Sequence, residues 1–156
     1  MPNREDFHSM PGHLIRRAHQ ISVAIFMEEC ADHNVTPVQY ACLSEIARQP
    51  GVDATRLASA VAFDRSTLGN VLERLEAKGW VDRRPSAEDR RVKLLHITAS
   101  GEQLLEAIEP AVVATQKRLL KPLSAADRKL FMRLISEMVE GNNDVSRAPL
   151  GRTETD

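Results

Sequence analysis

The sequence predicts a mainly α-helical fold with one small β-hairpin. Apolar residues recur every three or four positions through most of the chain, which is the period of an α-helix. Between residues 80 and 97 this period gives way to two short strand-like runs around a polar stretch. The length of 156 residues, with 42% hydrophobic and 28% charged residues, fits one folded domain or one subunit of an oligomer.

Two helices are predicted in the first third of the chain. The first covers about residues 12–32. Its apolar stripe consists of Leu14, Ala18, Ile21 and Ile25. The second begins after Thr36 and ends near Arg48. Thr36 is a suitable N-cap, Pro37 suits the first helical position, and Gln39 completes a capping box.

Two short helices are predicted after the turn at Pro50-Gly51. Asp53 is a suitable N-cap for the first of them. Asp64 can cap the second, which is expected over about residues 65–78 and stops at Gly79, a C-terminal signal. Their inward-facing apolar residues are Leu57, Ala58, Val61, Leu68, Val71, Leu72 and Leu75.

The strand-like runs at residues 80–84 and 92–97 predict a hairpin with a long, charged tip. The two short helices before it are joined by the tight connection Ala62-Phe63-Asp64. Two helices with such a turn, followed by a basic hairpin, form a winged helix-turn-helix, whose second helix enters a DNA groove.

The remaining chain predicts two more helices and a tail. One long helix should begin at Thr98 and end at Pro122, and Ser124 should start the last helix with a capping box. The polar tail from Gly141 is expected to fray. Three long amphipathic helices thus flank the winged unit, and their apolar faces are too wide for one small core. We therefore expect an intertwined homodimer, with a monomeric bundle that uses the same faces internally as the alternative.

This organisation predicts four segments. They are an N-terminal dimerisation helix at residues 1–34, a winged helix-turn-helix DNA-binding domain at 35–98, C-terminal dimerisation helices at 99–141 and a flexible tail at 142–156. The N-terminus lacks the layout of a secretory signal, and no apolar run is long enough to span a membrane, so a cytoplasmic protein without a membrane partner is expected.

The proposed partner is double-stranded DNA. The net charge of −1 gives no general attraction to nucleic acid, so the placement of individual cations must provide it. The predicted contacts combine donors of the second short helix with charged residues of the hairpin. They are Arg65, Ser66, Thr67, Asn70, Arg74, Arg84, Asp89, Arg90, Arg91 and Lys93. A merely solvated, charged turn is the alternative for the hairpin.

The chain resembles the MarR family of transcriptional regulators. The resemblance rests on residues 36–40, on the recognition-helix runs 64–68 and 72–81, and on the wing run 89–93 that leads to 97–101. It implies that the helices outside the winged unit form the dimer interface, that Arg91 enters the minor groove, and that Asp89 supports it. It also implies a repressor that releases DNA when a small molecule, often an aromatic acid, binds between the dimer helices and the winged domain.

A ligand site for such an acid is predicted on the first helix. His13, Arg17 and Gln20 share a stripe beside the apolar face, and Tyr40 could add a ring wall. The alternative is that these are surface donors and a core tyrosine. The segment at residues 14–30 resembles regulators of aromatic or N-heteroaromatic acid catabolism, so a nicotinate-derived or benzoate-type effector is preferred.

Other functions were weighed against this one. Redox sensing by Cys30 or Cys42 lacks the cysteine position used by the peroxide-sensing branch of the family. A metal switch would need the histidines, which lack a compact ligand spacing; they are His8, His13, His19, His33 and His96. No enzymatic motif is present, so no catalytic residue, metal or cofactor is expected. A winged-helix module that docks onto another protein remains the main rival.

Overall fold

The structure, a computed structural model, describes residues 4–151. Within this range the chain forms six α-helices and a three-stranded sheet. The helices are α1 (Pro11–Glu29), α2 (Pro37–Arg48), α3 (Ala54–Val61), α4 (Arg65–Ala77), α5 (Ala99–Leu120) and α6 (Ala125–Gly141). The strands are β1 (Val52–Asp53), β2 (Val81–Pro85) and β3 (Lys93–Ile97). Residues 1–3 of the predicted N-terminal segment and 152–156 of the predicted tail lie outside the described residues.

Five of the six helices begin with a side-chain cap. The sequence predicts four of these capping residues. The capping box of α2 is present, because Gln39 N–H donates to Thr36 Oγ1 and Thr36 N–H donates to Gln39 Oε1, both at 3.2 Å. The other caps are Asp53, Asp64, Thr98 and Ser124. Local hydrogen-bond chemistry therefore places most helix starts.

The first helix ends at Glu29 and not near residue 32 as predicted. The N–H of Cys30 makes the last α-type hydrogen bond, to the Phe26 carbonyl at 2.9 Å. A 3-10 turn at Ala31–His33 follows, and Asn34 adopts a left-handed conformation with φ 48°. Cys30 and Val35 are both buried, so packing at the two ends of this turn bends the chain away from the helix axis.

The predicted hairpin pairs β2 with β3, from Val81 opposite Ile97 to Pro85 opposite Lys93. The sheet order is β1-β3-β2, and all pairs are antiparallel. The sequence does not predict β1, because a strand of two residues is too short to show the alternation that identifies strands. Its pairing with β3 fixes the start of α3 against the sheet.

Two clusters of buried apolar residues form the core. The larger joins α2, α3, α4 and the sheet and includes Leu43, Ile46, Leu57, Leu72 and Leu95. The smaller joins α1, α5 and the segment before α2 and consists of Phe26, Cys30, Val35 and Ile108. Trp80, Leu104 and Leu105 pack against both clusters, so the winged unit and the long helices share a continuous core.

Large apolar faces of the long helices remain uncovered in the single chain. In α6 no residue is buried, and six large apolar side chains are between 38% and 57% exposed. They are Leu130, Phe131, Met132, Leu134, Met138 and Val139. On α1 the corresponding residues are Leu14, Ile15, Ile21 and Met27. Thus the chain does not form the monomeric bundle that would bury these faces internally.

The segment after α6, for which the polar composition predicts a frayed tail, makes hydrogen bonds and an ion pair as far as it is described. We call residues 142–151 the C-terminal arm. Asn143 exchanges two side-chain hydrogen bonds with the backbone of Leu150, at 2.9 and 3.0 Å. Arg147 pairs with Asp64 at 3.1 Å, and Gly151 N–H donates to the Ser59 carbonyl at 2.9 Å. The last two are tertiary contacts, with the N-cap of α4 and with α3, that composition does not report.

Candidate nucleic-acid interface and adjoining cavity

The recognition helix α4 begins at a well-formed helix-turn-helix corner. Ala62 takes a left-handed conformation with φ 54°, and Asp64 then caps α4. The Asp64 carboxylate accepts the Thr67 N–H at 2.8 Å and the Thr67 hydroxyl at 2.9 Å. These hydrogen bonds, with a smaller contribution from Arg147, lower the pKa of Asp64. The carboxylate is therefore held in the cap, as predicted, and does not face DNA freely.

The helix α4 divides its side chains between core and solvent. Leu68, Leu72 and Leu75 are buried in the core. Each of the five predicted DNA contacts on α4 is exposed; these are Arg65, Ser66, Thr67, Asn70 and Arg74. The structure thus leaves the first turn of α4 available for a groove while its apolar side anchors the helix.

The wing projects an arginine that its neighbour orients. Arg91 is 92% exposed at its side chain, and Asp89 accepts hydrogen bonds from its backbone N–H at 3.0 Å and from its guanidinium at 3.2 Å. The Arg91 side chain, followed by its backbone N–H, lowers the pKa of Asp89. The position of Asp89 matches the supporting role that the family resemblance implies.

A basic cleft lies between the start of α3, the start of α4 and the wing, with a volume of about 510 Å³. Its cations are Arg56, Arg65, Arg83, Arg91 and Lys93. Thr55 accepts a hydrogen bond from Arg65 Nη2 at 2.9 Å, which holds that guanidinium beside the cleft. Five cations around one cleft give it the positive charge that binding phosphate oxygens requires.

Two cations of this cleft, Arg56 and Arg83, are absent from the predicted contact set. Strand alternation explains the second, because Arg83 lies on the cleft face of β2 whereas the predicted Arg84 lies on the other face. There Arg84 pairs with Asp82 at 3.0 Å. The sequence signal for Arg56 was its place in the first turn of the first helix of a helix-turn-helix.

A second cavity of about 510 Å³ lies between α1, the start of α2 and α4. Val23, Met27 and Val71 give it apolar walls. Its polar lining comes from His19 of α1, Thr36 and Gln39 of α2, and Thr67, Asn70 and Arg74 of α4. The recognition helix is therefore itself one wall of the cavity, and Asn70 and Arg74 border the cavity as well as solvent.

The four residues predicted to bind an effector do not line this cavity. His13 and Gln20 both contact Arg16, at 3.4 and 3.1 Å, on the exposed side of α1. Arg17 is exposed, and the ring of Tyr40 packs 5.9 Å from that of Phe26 in the smaller core cluster. Helical spacing groups these α1 residues on one stripe, but the α1 residues that line the cavity are His19, Val23 and Met27.

The cysteines and histidines offer little reactive chemistry in the described chain. Burial raises the pKa of the Cys42 thiol to about 12, and burial followed by the charge of Glu29 raises that of Cys30. Among residues 4–151 no group of three or more His, Cys, Asp or Glu side chains is placed to hold a metal ion. None of the helices within this range is long and apolar enough to cross a bilayer.

Comparison with known proteins shows which family has this sequence and fold. The MarR family profile matches residues 35–93. The transcriptional regulator HosA of Escherichia coli is 34% identical over 127 residues, which cover 81% of this chain and 93% of HosA. The chain belongs to the MarR family. It is a transcriptional regulator with a winged helix-turn-helix, and the predicted family and fold class are confirmed.

Two further regulators are similar to this chain. The HTH-type transcriptional repressor NicR of Pseudomonas putida is 29% identical, over 85% of this chain and 84% of NicR. The structure of BpsR of Bordetella bronchiseptica superposes with a TM-score of 0.81 at 30% identity, covering 88% of this chain and 97% of BpsR. That structure concerns the regulation of BpsR DNA binding by 6-hydroxynicotinic acid.

Proposed function

We propose that this MarR-family regulator is a repressor that binds an inverted-repeat operator as a homodimer and releases it when a small aromatic or N-heteroaromatic acid binds. One observation carries the proposal. The helix α4 presents its first turn beside a cleft of five cations and at the same time forms a wall of a mostly apolar cavity. A ligand in the cavity therefore contacts the helix that reads DNA.

The uncovered faces of α1 and α6 support the homodimer. Six apolar side chains of α6 are exposed in the single chain, and burying them against a second copy removes a large apolar surface from water. In this proposal residues 1–34 and 99–141 dimerise, while residues 35–98 bind DNA. A twofold axis would then hold two α4 helices about 34 Å apart, one turn of duplex.

The exposed side chains support the proposed DNA contacts. In the homodimer, the first turns of the α4 helices enter successive major grooves, where Arg65 and Asn70 can bind base edges. Arg91 enters the flanking minor groove, whose narrow form concentrates negative potential. Arg56 and Arg83 neutralise phosphates at the mouth of the cleft. Binding should weaken as salt rises, because phosphate neutralisation releases counterions.

The lining of the α1–α2–α4 cavity supports an aromatic acid as the effector. Its volume falls in the ordinary range for small-molecule sites. The ring of the acid would pack between Val23, Met27 and Val71, and its carboxylate would receive paired hydrogen bonds from Arg74. The likeness to BpsR makes 6-hydroxynicotinic acid the first compound to test.

A titration of operator binding tests the proposal. The DNA upstream of the protein's own gene is labelled, and its fluorescence anisotropy is followed against protein, with and without hydroxynicotinates and hydroxybenzoates. We expect tight, salt-sensitive binding that one acid class weakens. If the acids produce neither heat in calorimetry nor loss of operator binding, the effector part of the proposal is wrong. If the protein does not bind the operator even at low salt, the proposed repressor function is wrong.

A further inference from the structure

Lys78, the residue that ends the recognition helix, reaches back to the segment before α2. Its ammonium donates to the Asn34 carbonyl and, at 3.3 Å, to Gln39 Oε1. It also lies 4.5 Å from the centroid of the Trp80 ring. These three contacts fix the ammonium between α4 and the start of α2.

The end of α4 is built to place these groups together. Gly79 adopts φ 72°, and the Trp80 N–H turns back to donate to the Leu75 carbonyl at 3.0 Å. This reversal brings the indole of Trp80 beside the Lys78 side chain. Desolvation, followed by the charge of Arg74, lowers the pKa of Lys78, which reflects how closely the ammonium is packed.

One hydrogen-bond partner of Lys78, Gln39, belongs to the effector cavity of the proposed function. Gln39 is only 4% exposed, lines that cavity, and also accepts the N–H of Thr36, another lining residue. Arg74, one helical turn before Lys78, lines the opposite wall. Lys78 thus bridges two walls of one cavity.

No other residue makes a hydrogen bond across this gap in the described chain. Among residues 4–151, both hydrogen bonds that connect α4 with the segment at residues 34–39 come from Lys78. The remaining contacts between α2 and α4 are apolar packing in the larger core cluster. Lys78 is therefore the directed hydrogen-bond link between the α2 wall and the end of α4.

We propose that Lys78 is a positioning residue that transmits occupancy of the cavity to the orientation of the recognition helix. The inference rests on the proposed function, in which the cavity takes an aromatic acid. An acid that displaces the wall at Thr36 and Gln39, or attracts Arg74, changes the geometry that Lys78 spans, and α4 moves with it. Without this bridge the acid still binds, but its binding no longer favours one orientation of α4.

The first test needs no ligand. Hydrogen exchange of full-length Lys78→Met is compared with that of wild type, of Lys78→Arg, and of Lys121→Met, a control whose exposed side chain makes no hydrogen bond in the described chain. We expect Lys78→Met to raise exchange at residues 33–40 and 74–80 while α5 and α6 keep their protection. Lys78→Arg and Lys121→Met should behave as wild type. Unchanged exchange in Lys78→Met overturns the inference.

The second test measures coupling directly. Operator Kd is measured with and without saturating 6-hydroxynicotinate, and acid Kd with and without operator; by linkage the two ratios are equal. We expect wild type to show a ratio of at least about 5 and Lys78→Met a ratio close to 1, with acid affinity in free protein within about threefold of wild type. Lys78→Arg should restore most of the ratio, which a purely structural role would not explain.

Trp80, the single tryptophan, adds a spectroscopic readout. In wild type the acid should change its emission as the ammonium shifts over the indole, and in Lys78→Met this change should be absent. A Lys78→Met ratio within twofold of wild type refutes the transmission role. If no acid shifts the operator Kd of wild type, the proposed effector function fails instead, and the exchange data alone decide whether Lys78 positions α4.

Discussion

Asp89 accepts three hydrogen bonds from one residue, Arg91, through its backbone N–H, Nε and Nη2, at 3.0, 3.2 and 3.2 Å. The guanidinium is thereby oriented at the tip of the wing although most of the side chain is in solvent. An arginine that is already ordered loses less conformational freedom when it enters a groove. This relation makes Arg91 the strongest candidate for a DNA contact outside α4.

Arg91→Ala should therefore weaken operator binding about 10- to 100-fold, with the fold and the thermal midpoint unchanged. The loss of affinity combines a lost minor-groove contact with the loss of one positive charge near the phosphates. Anisotropy titration at two salt concentrations measures it. A Kd within threefold of wild type would favour a winged helix that docks onto protein and does not read DNA.

The adjacent arginines of β2 provide a matched pair. Arg83 lines the basic cleft and pairs with Glu76 at 2.8 Å, whereas Arg84 lies on the other face and pairs with Asp82 at 3.0 Å. Arg83→Ala should reduce the magnitude of the slope of log K against log salt by about 1.8, the value for two phosphate contacts, one from each chain of the dimer, and Arg84→Ala should change it less. Equal slopes for both variants would contradict the placement of the cleft.

A second pair of variants distinguishes the α1–α2–α4 cavity from the stripe on α1 as the effector site. Arg74→Ala should weaken binding of 6-hydroxynicotinate to free protein about 10- to 100-fold, because a paired, charged hydrogen bond to the carboxylate is lost. Arg17→Ala, on the exposed side of α1, should leave calorimetric affinity unchanged. The reverse result would show that the residues predicted from the α1 stripe bind the acid and that the cavity does not.

Gly101 is required where α5 starts against the sheet. A Cβ at this position would meet the Trp80 carbonyl and would lie 2.7 Å from Ile97 Cγ1. Gly101→Ala should lower the free energy of unfolding by about 1–3 kcal/mol, seen as a lower thermal midpoint. Gly69→Ala is the control, because its Cβ would have no neighbour within 4 Å and the helix should gain up to about 1 kcal/mol. Equal midpoints for the two variants would contradict this packing.

Features that depend on interactions between residues close in the sequence could be predicted from the sequence. The caps at Thr36, Asp53, Asp64 and Ser124 need only neighbouring atoms, and the inward leucines of α4 need only helical spacing. The family resemblance added the pairing of Asp89 with Arg91. These local signals were enough for the helix order, the hairpin and the exposed face of the recognition helix.

Features that depend on packing between distant segments could not be predicted. Spacing groups His13, Arg17 and Gln20 on one side of α1, but it does not say which side meets α4. Alternation separates Arg83 from Arg84 without assigning either to the cleft. The bond from Lys78 to Asn34 spans 44 positions, and its partner is a backbone carbonyl that carries no sequence signal.

The central claim is that two copies of this chain together bind one operator duplex. Sedimentation velocity of the protein with a labelled operator duplex, at low and at physiological salt, measures the stoichiometry and the binding at once. The account predicts a free dimer and a complex of two chains per duplex that dissociates as salt rises. A monomer in solution, or a duplex that sediments as free DNA even at low salt, would contradict it.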